Sequence, residues 1–429
     1  MSAAAVRVGF LGCGNVGGAL VSLISREADA IEARTGIRLE ITRVAVRDLD
    51  KARPPELDRS LLTTDAEALV VADDVDVVVE IMGVLDPTDA LLRQALAAGK
   101  PVVTANKELL ATRGVSLFGA AADAGRDLLF EAAVGGGIPL IRPLRESLAG
   151  EPIARIMGIV NGTTNFILTR MTEDGAEYGD ALAEAQRLGY AEPDPTADVD
   201  GYDAGAKVAI LASIAFGVGL TIDDVYIEGI RSVTATDIAF AQRLGYVVKL
   251  LGIAEQIDGQ VAVRVHPAMI PATHALASVR DSFNAVFIEG EAVGELMLYG
   301  RGAGAMPTSS ALLGDLLDAA HNLRIGGRGR APVLAPAKLR DVSELRSQYY
   351  LALDVADRPG VLASVAGVLG DHGVSIQSME QQGLGDEARL VFITHVAREA
   401  DVQATLNDLR ALDAVRSVGG LLRVIGDER

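Results

Sequence analysis

Over the first 130 residues, short and almost unbroken apolar runs alternate with segments of helical periodicity. The runs "VRVGFLG" (6–12), "EITRVAV" (40–46), "VDVVVEIMG" (75–83), "PVVTAN" (101–106) and "DLLFEAAV" (127–134) are apolar nearly throughout. That is the pattern of strands covered on both faces. Helical stretches such as "PTDALLRQALAA" (87–98) lie between them. Strand and helix in alternation predict a parallel sheet with right-handed crossovers, an α/β arrangement.

From about residue 135 to 305 the pattern changes. Strand-like pieces ("RIMGIVN", "VAVRVHPAMI", "NAVFIEG", "GELMLYG") mix with longer helices, which predicts an α+β unit. "MPTSSALLGDLLDAAHNL" (306–323) reads as one more helix, with Pro307 in its first turn. A Gly/Pro/Arg-rich stretch follows within 324–345 and reads as a linker. The last part, 346–429, reads β-α-β-β-α-β: "QYYLALDV", a "DRPGVL" turn, "LASVAGVLGDHG", "VSIQSMEQQ", "EARLVFITHV", "EADVQATLNDLRAL" and "VRSVGGLLRVI". This is the ferredoxin-like order.

Charge narrows the class. With 39 basic and 58 acidic residues, the net charge of −19 repels phosphate backbones and anionic membrane surfaces. Nucleic acid and membranes are therefore not expected partners. The greasiest run, 204–222, is interrupted by Lys207 and glycines and ends at Asp223, short of a bilayer span. A single cysteine, Cys13, and an N-terminus without signal-peptide character predict a reducing, cytoplasmic setting.

The first strand runs directly into Gly12-x-Gly14-x-x-Gly17. Gly12 permits the tight turn, Gly14 lets a pyrophosphate approach the backbone, and Gly17 lets the next helix pack closely. The helix start at Asn15 and Val16 supplies amides and partial positive charge for phosphates. At the end of the second strand, "VAVRDLDK" puts Arg47 first, with Asp48 next and Lys51 nearby. An arginine there accommodates the 2′-phosphate of NADP, and an acid accepts from the 2′-hydroxyl of NAD, so NADP is the expected cofactor and NAD a possible one. "PVVTANKELL" carries Thr104 and Lys107 to the carboxyl end of a parallel strand, where ligands of such sheets bind. A surface lysine opening a helix reads the same way.

"DVDGYDAGAKVAIL" (198–211) places Asp200, Asp203 and Lys207 at the mouth of an apolar helix. Asp203 and Lys207 stand i, i+4 and share a face. Exposed, such a pair contributes only ~0.3–0.5 kcal/mol. Partly buried, the aspartate holds the lysine while desolvation brings its pKa toward a useful range for acid–base chemistry. Capping alone, with Asp200 as N-cap, is the structural alternative. Upstream, Glu192, Asp194, Asp198 and Asp200 crowd one loop, suited to a substrate ammonium or simply solvated. The five histidines lack ligand spacing, so neither a zinc site nor a Ser-His-Asp triad is expected.

Together "GFLGCGNVGG", "TANKELLA", "EAAVGGGIPLI", "NGTTNFIL", "LGYAEPDPTADVDGYDAGAKVAIL" and "GRGAGAMPT" resemble homoserine dehydrogenases over nearly the whole chain. The resemblance implies a Rossmann-type dinucleotide-binding domain (1–134, completed by helix 306–323), an α+β catalytic and dimerisation domain (135–305) and, after the linker, an ACT-like regulatory domain (346–429). It implies NAD(P)H-dependent reduction of L-aspartate 4-semialdehyde to L-homoserine, on the route to threonine, isoleucine and methionine. Lys207 matches the family's proton donor/acceptor. Asp203 and Glu192 match substrate-holding residues with Asp198 close by, and Asn161, Gly162 and Thr163 match the loop beside the substrate. Lys107 matches the lysine at the boundary of nicotinamide and substrate, and Gly189 and Gly304 match backbone contacts to the cofactor. A monovalent-cation site, Na+ or K+, is implied at Glu131 and the carbonyls of Val134, Gly136 and Ile138. The "DRPGVL" turn implies amino-acid binding, with threonine as the ligand, and a homodimer or homotetramer. No aspartate kinase domain is expected.

Two other readings fit parts of the sequence. One is a non-catalytic amino-acid sensor on a dinucleotide-binding scaffold; intact Lys107, Glu192, Asp203 and Lys207 argue against it. The other is a dehydrogenase for a different small amino-acid aldehyde.

Overall fold

The structure, a computed structural model, describes residues 5–329, 331–383 and 385–426. Arg330 of the expected linker, and Leu384 and residues 427–429 of the expected last domain, lie outside the described residues, as do residues 1–4. The chain forms two compact units, each assembled from three stretches of sequence.

One unit comprises Met1–Ile156, Ala206–Val225 and Asn284–Ala337. Its strands β1 (Val6–Leu11), β2 (Leu39–Ala45), β3 (Leu62–Thr63), β4 (Val77–Glu80), β5 (Val102–Thr104) and β6 (Leu128–Leu129) form a sheet in the order β3-β2-β1-β4-β5-β6. Every pair is parallel. The order reverses between β1 and β4, which opens a crevice beyond their carboxyl ends. The unbroken apolar runs are explained by burial on both faces. Phe10, Val77, Val79 and Val103 pack with Leu20 and Val21 of helix α1 (Asn15–Arg26) and with Leu312, Leu316, Ala319 and Ala320 of the helix Ala305–Arg324. Burying a leucine contributes roughly 1.5–3 kcal/mol, enough to hold that distant helix on the sheet.

One expected strand is corrected. The segment 127–134 stays extended only to Leu129, and Glu131–Ala133 is a 3-10 turn. The Glu131 carboxylate accepts the backbone N–H groups of Leu140 (2.5 Å), Ile141 (2.8 Å) and Arg142 (2.8 Å), which folds the chain back on itself.

The other unit comprises Met157–Gly205, Tyr226–Phe283 and Lys338–Arg429. Strands Tyr246–Ile257 and Gln260–Pro271 form an antiparallel hairpin. Its two-residue turn, Asp258-Gly259, has positive φ at both positions (52° and 75°), as a type I′ turn requires. The ferredoxin-like order is present: strand Arg346–Ala356, helix Val361–Asp371, strands Ile376–Gly383 and Glu387–Thr394, helix Glu399–Arg410, strand Val415–Val424. A short bridge-like strand, Ala397–Arg398, precedes the second helix. The last strand pairs antiparallel with Arg346–Ala356 and parallel with Gln260–Pro271. The C-terminal domain thus continues the hairpin's sheet. Tyr349, Leu353, Val365, Phe392 and Leu406 fill its core.

The strand Tyr246–Ile257 buries a lysine. Lys249 Nζ donates to Asn165 Oδ1 (3.0 Å) and the Val279 carbonyl (2.5 Å), and burial pushes its pKa down to about 8.

Candidate active site

In the first unit the glycine turn follows β1 as its spacing requires. Gly12 has φ 95°, and a Cβ there would lie 2.9 Å from the Ile81 carbonyl oxygen. A Cβ on Gly17 would lie 2.7 Å from Ile81 Cδ1, whereas Gly14 faces open space. Two glycines are therefore demanded by packing, and the third leaves room for a ligand. Gly14 is the N-cap of α1 and offers no side-chain cap, so the first amides, at Asn15 and Val16, remain for an anion.

The turn opens onto a cleft of about 760 Å3 lined by Gly12, Gly14, Arg47, Asp48, Lys51, Arg53 and Ile81, among others. Arg47, Asp48 and Lys51 all reach the cleft. Arg53 was not expected there: its Nη1 donates to the Cys13 carbonyl and its Nη2 to the Asp48 carbonyl (3.1 Å), tying the glycine turn to the segment after β2. The sequence signal for it is faint, a third basic residue close behind Arg47 and Lys51.

At the end of β5, Thr104 is buried. Its hydroxyl donates to Glu80 Oε2 (2.5 Å) and accepts from the Asn106 N–H (3.0 Å). Burial pushes the Glu80 carboxyl up, opposed by hydrogen bonds it accepts from the Thr104 hydroxyl and the Met82 N–H. Asn106 then caps the helix Lys107–Ala124 through the Leu109 N–H (3.0 Å), so Lys107 is the first helical residue beyond the strand. Gly304, with φ 117°, is the N-cap of the helix Ala305–Arg324.

The segment Val134–Ile138 turns through two left-handed glycines, Gly135 (φ 76°) and Gly136 (φ 55°). A Cβ on Gly136 would lie 2.6 Å from the Gly302 carbonyl. A turn of this kind, held close to a second backbone, suits a cation bound by carbonyl oxygens, so the residues fit the cation site implied for Val134, Gly136 and Ile138. Glu131 is occupied with the three amides already described. Nearby, Asp315 accepts the Glu131 N–H (2.8 Å) and an Arg142 Nη2–H (3.1 Å). Burial pushes the Asp315 carboxyl up to about 7.

In the second unit Asn161 joins two of the expected acids. It is the N-cap of the helix Gly162–Asp174, its Oδ1 accepting the Thr164 N–H (2.8 Å). Its Nδ2 donates to Asp198 Oδ1 (2.7 Å) and Asp203 Oδ2 (2.8 Å). Gly162 lies so close to Ser282 that a Cβ would sit 2.8 Å from its carbonyl oxygen. The Thr163 hydroxyl donates to the Tyr190 carbonyl (2.6 Å). Gly189, φ 78°, ends the helix Tyr178–Arg187, and Glu192 is exposed on the following loop.

The helix Tyr202–Phe216 carries Asp203 in its first turn and Lys207 one turn later, both half-buried. The structural alternative, in which Asp200 is the N-cap of this helix, does not hold. Asp200 ends the preceding short helix, Thr196–Val199, and its carboxylate is paired with Arg231. Asp194 accepts the Thr196 N–H (3.1 Å). Three of the four acids of this loop, Asp194, Asp198 and Asp200, thus have different partners.

In the C-terminal domain, a cleft of about 350 Å3 is lined by Ala356–Leu362, Gln381 and Leu390. Gly360 adopts φ 91° at the N-cap of the helix Val361–Asp371.

A parallel sheet in this order, with a glycine turn and basic residues around its crevice, belongs to NAD(P)-dependent oxidoreductases. Comparison with known proteins gives the particular family. The family model for homoserine dehydrogenase matches residues 139–317, its NAD-binding domain matches 12–131, and the ACT domain matches 349–414. The homoserine dehydrogenase of Corynebacterium glutamicum is 47% identical over 99% of this chain and 96% of its own length. That of Mycobacterium tuberculosis is 48% identical over 98% of each chain. The crystal structure of a homoserine dehydrogenase from Thiobacillus denitrificans superposes with a TM-score of 0.92, at 41% identity and 98% coverage of both chains. A hyperthermophilic archaeal homoserine dehydrogenase in complex with NADPH superposes with a TM-score of 0.63 at 28% identity, over 74% of this chain and 98% of its own. The chain belongs to the homoserine dehydrogenase family and carries a C-terminal ACT domain.

Proposed function

We propose that this chain interconverts L-aspartate 4-semialdehyde and L-homoserine with Lys207 as the proton donor and acceptor. The observation that carries this reading is the Asn161 amide bound to both Asp198 and Asp203, with Lys207 one helical turn beyond Asp203. The reduced nicotinamide, when bound, supplies hydride to the aldehyde carbon. The Lys207 ammonium gives its proton to the aldehyde oxygen as negative charge develops there, and its neutral amine takes the hydroxyl proton in the reverse direction. Asp203 and Glu192, with Asp198, receive the substrate ammonium. Asn161 keeps two of these acids aimed, and Gly162 and Thr163 shape the loop beside them. Lys107 stands at the boundary of nicotinamide and substrate, and Thr104, Gly189 and Gly304 support the cofactor.

NADP(H) is the preferred cofactor in this reading, supported by Arg47, Lys51 and Arg53 around the cleft and by the NADPH held by the archaeal relative. A Na+ or K+ ion held by the carbonyls of Val134, Gly136 and Ile138 would supply local positive charge and rigidity. The ACT-domain cleft takes threonine as a feedback inhibitor, the protein works as a homodimer or homotetramer, and it resides in the cytoplasm. The single buried cysteine supports that compartment. Among the described residues, no helix is long and apolar enough to cross a membrane.

The deciding experiment follows NADPH absorbance with aspartate semialdehyde as substrate. A rate that saturates with semialdehyde is expected. No rate, with NADPH binding intact, would overturn the assignment of substrate and reaction.

A further inference from the structure

The C-terminal domain reaches the substrate loop through one buried arginine. Arg423 lies on the strand Val415–Val424, and its side chain is 1% exposed. It holds two carboxylates. Nη1 and Nη2 donate to Glu228 Oε2 (2.7 Å) and Oε1 (2.9 Å). Nε and Nη2 donate to Glu399 Oε2 (2.9 Å) and Oε1 (2.7 Å). Glu399 also accepts the Tyr349 hydroxyl (2.9 Å), and the Tyr226 hydroxyl donates to Glu228.

Glu228 sits in a backbone that is pressed against the loop before Asp203. The Ile230 N–H donates to the Val199 carbonyl (2.8 Å), and Arg231 pairs with Asp200. A Cβ on Gly229 would overlap the Val199 carbonyl, and one on Gly201 would lie 3.0 Å from Ile227 Cγ2. Residues 227–231 and 199–201 are therefore in direct backbone contact. On its far side the same segment is anchored to the hairpin by the Glu228 N–H and the Val265 carbonyl (2.7 Å).

A buried ion network is a poor source of stability, because desolvation offsets most of its attraction. Apolar side chains of similar volume would hold two domains together as well. What the network adds is a fixed geometry at both carboxylates. We propose that Arg423 of the C-terminal domain is a positioning residue for the substrate loop: through Glu228 it fixes residues 227–231, and through these the backbone that presents Asp198 and Asp203. This rests on the reading of those two aspartates as substrate residues. Any ligand that shifts the strand Val415–Val424 then acts on substrate affinity before it acts on turnover.

The test uses the full-length protein with Arg423→Lys, Glu228→Gln and the two combined. Either single change is expected to raise KM for the semialdehyde roughly five- to tenfold, with kcat and KM for NADPH within about twofold. The combination should be no worse than the more severe single change, because both act through one contact. Amide hydrogen exchange should rise over 196–205 in each variant and stay at the parent level along β1 and β4. An unchanged semialdehyde KM with unchanged exchange over 196–205 would overturn the proposal. So would a loss of kcat with exchange raised throughout the chain, which marks general destabilisation. If the parent protein does not turn over the semialdehyde, the functional reading fails, and the exchange measurement still decides the positioning role.

Discussion

The Asn161 side-chain amide donates to the Asp203 carboxylate at 2.8 Å, across a sequence separation of 42 residues. The same amide caps a helix through its oxygen and holds Asp198 with its other hydrogen. One neutral side chain thus orients two carboxylates. Asn161→Ala should lose the cap, costing about 0.5–2 kcal/mol of stability. It should also raise KM for homoserine well beyond what that loss explains. Urea titration beside steady-state kinetics separates the two effects, and an unchanged KM would remove Asn161 from substrate positioning.

Lys207→Ala should lower kcat by roughly 10²–10⁴ with NADPH affinity little changed, as expected for loss of a general acid. Turnover and fluorescence-detected NADPH binding on the same preparation check this. Near-normal turnover would take Lys207 out of the mechanism.

Arg47→Ala should weaken NADPH about ten- to a hundredfold, the range of a hydrogen bond to a charged group. NADH should be weakened much less. Equal losses for both cofactors would show that Arg47 does not read the 2′-phosphate.

Asp315 gives a pH signature. Its carboxyl sits at about 7 in the folded chain against an ordinary 3.8, so the folded state holds the proton more tightly than the unfolded state. The stability it contributes is complete below the lower value and is lost as pH rises through the upper one. Between those values, thermal stability of the parent should fall with pH relative to Asp315→Asn. Parallel curves for the two proteins would contradict the shift.

Gly136→Ala forces a side chain into a left-handed turn beside the Gly302 carbonyl. Any activation by Na+ or K+ should be lost or shifted to higher salt, read from rates across a chloride series. Retained activation would place the cation elsewhere.

Much of this was legible because its physics is local. The β1–turn–α1 motif is set by glycines that Ile81 and a tight turn demand, and the ferredoxin-like order follows from apolar runs and turn residues. Long-range features were not. The strand Tyr246–Ile257 carries Lys249 inside its apolar run, and the partners that receive it there, Asn165 and the Val279 carbonyl, are distant in sequence. The strand expected to reach Val134 stops early because the Glu131 carboxylate is needed by amides nine to eleven residues on. Asp200 looked like a cap until Arg231 claimed it, from 31 residues away. Arg53 left almost no mark, because its partners are backbone carbonyls. Family resemblance pointed to Asn161, but its bridge between two acids is a matter of geometry.

The parallel register of Ala268 with Arg423 also bears on how the chain comes to be folded. Synthesis delivers the hairpin Tyr246–Pro271 long before the strand Val415–Val424 exists. Until then one edge of Gln260–Pro271 lacks that neighbour over Ala268 and Met269, and such an edge is a template for pairing with other chains. The second unit therefore closes late, through a contact of long sequence separation, and such contacts form slowly. The C-terminal domain is in this sense also the seal on a growing sheet, and nascent chains stalled before it should be the form of this protein most prone to aggregate.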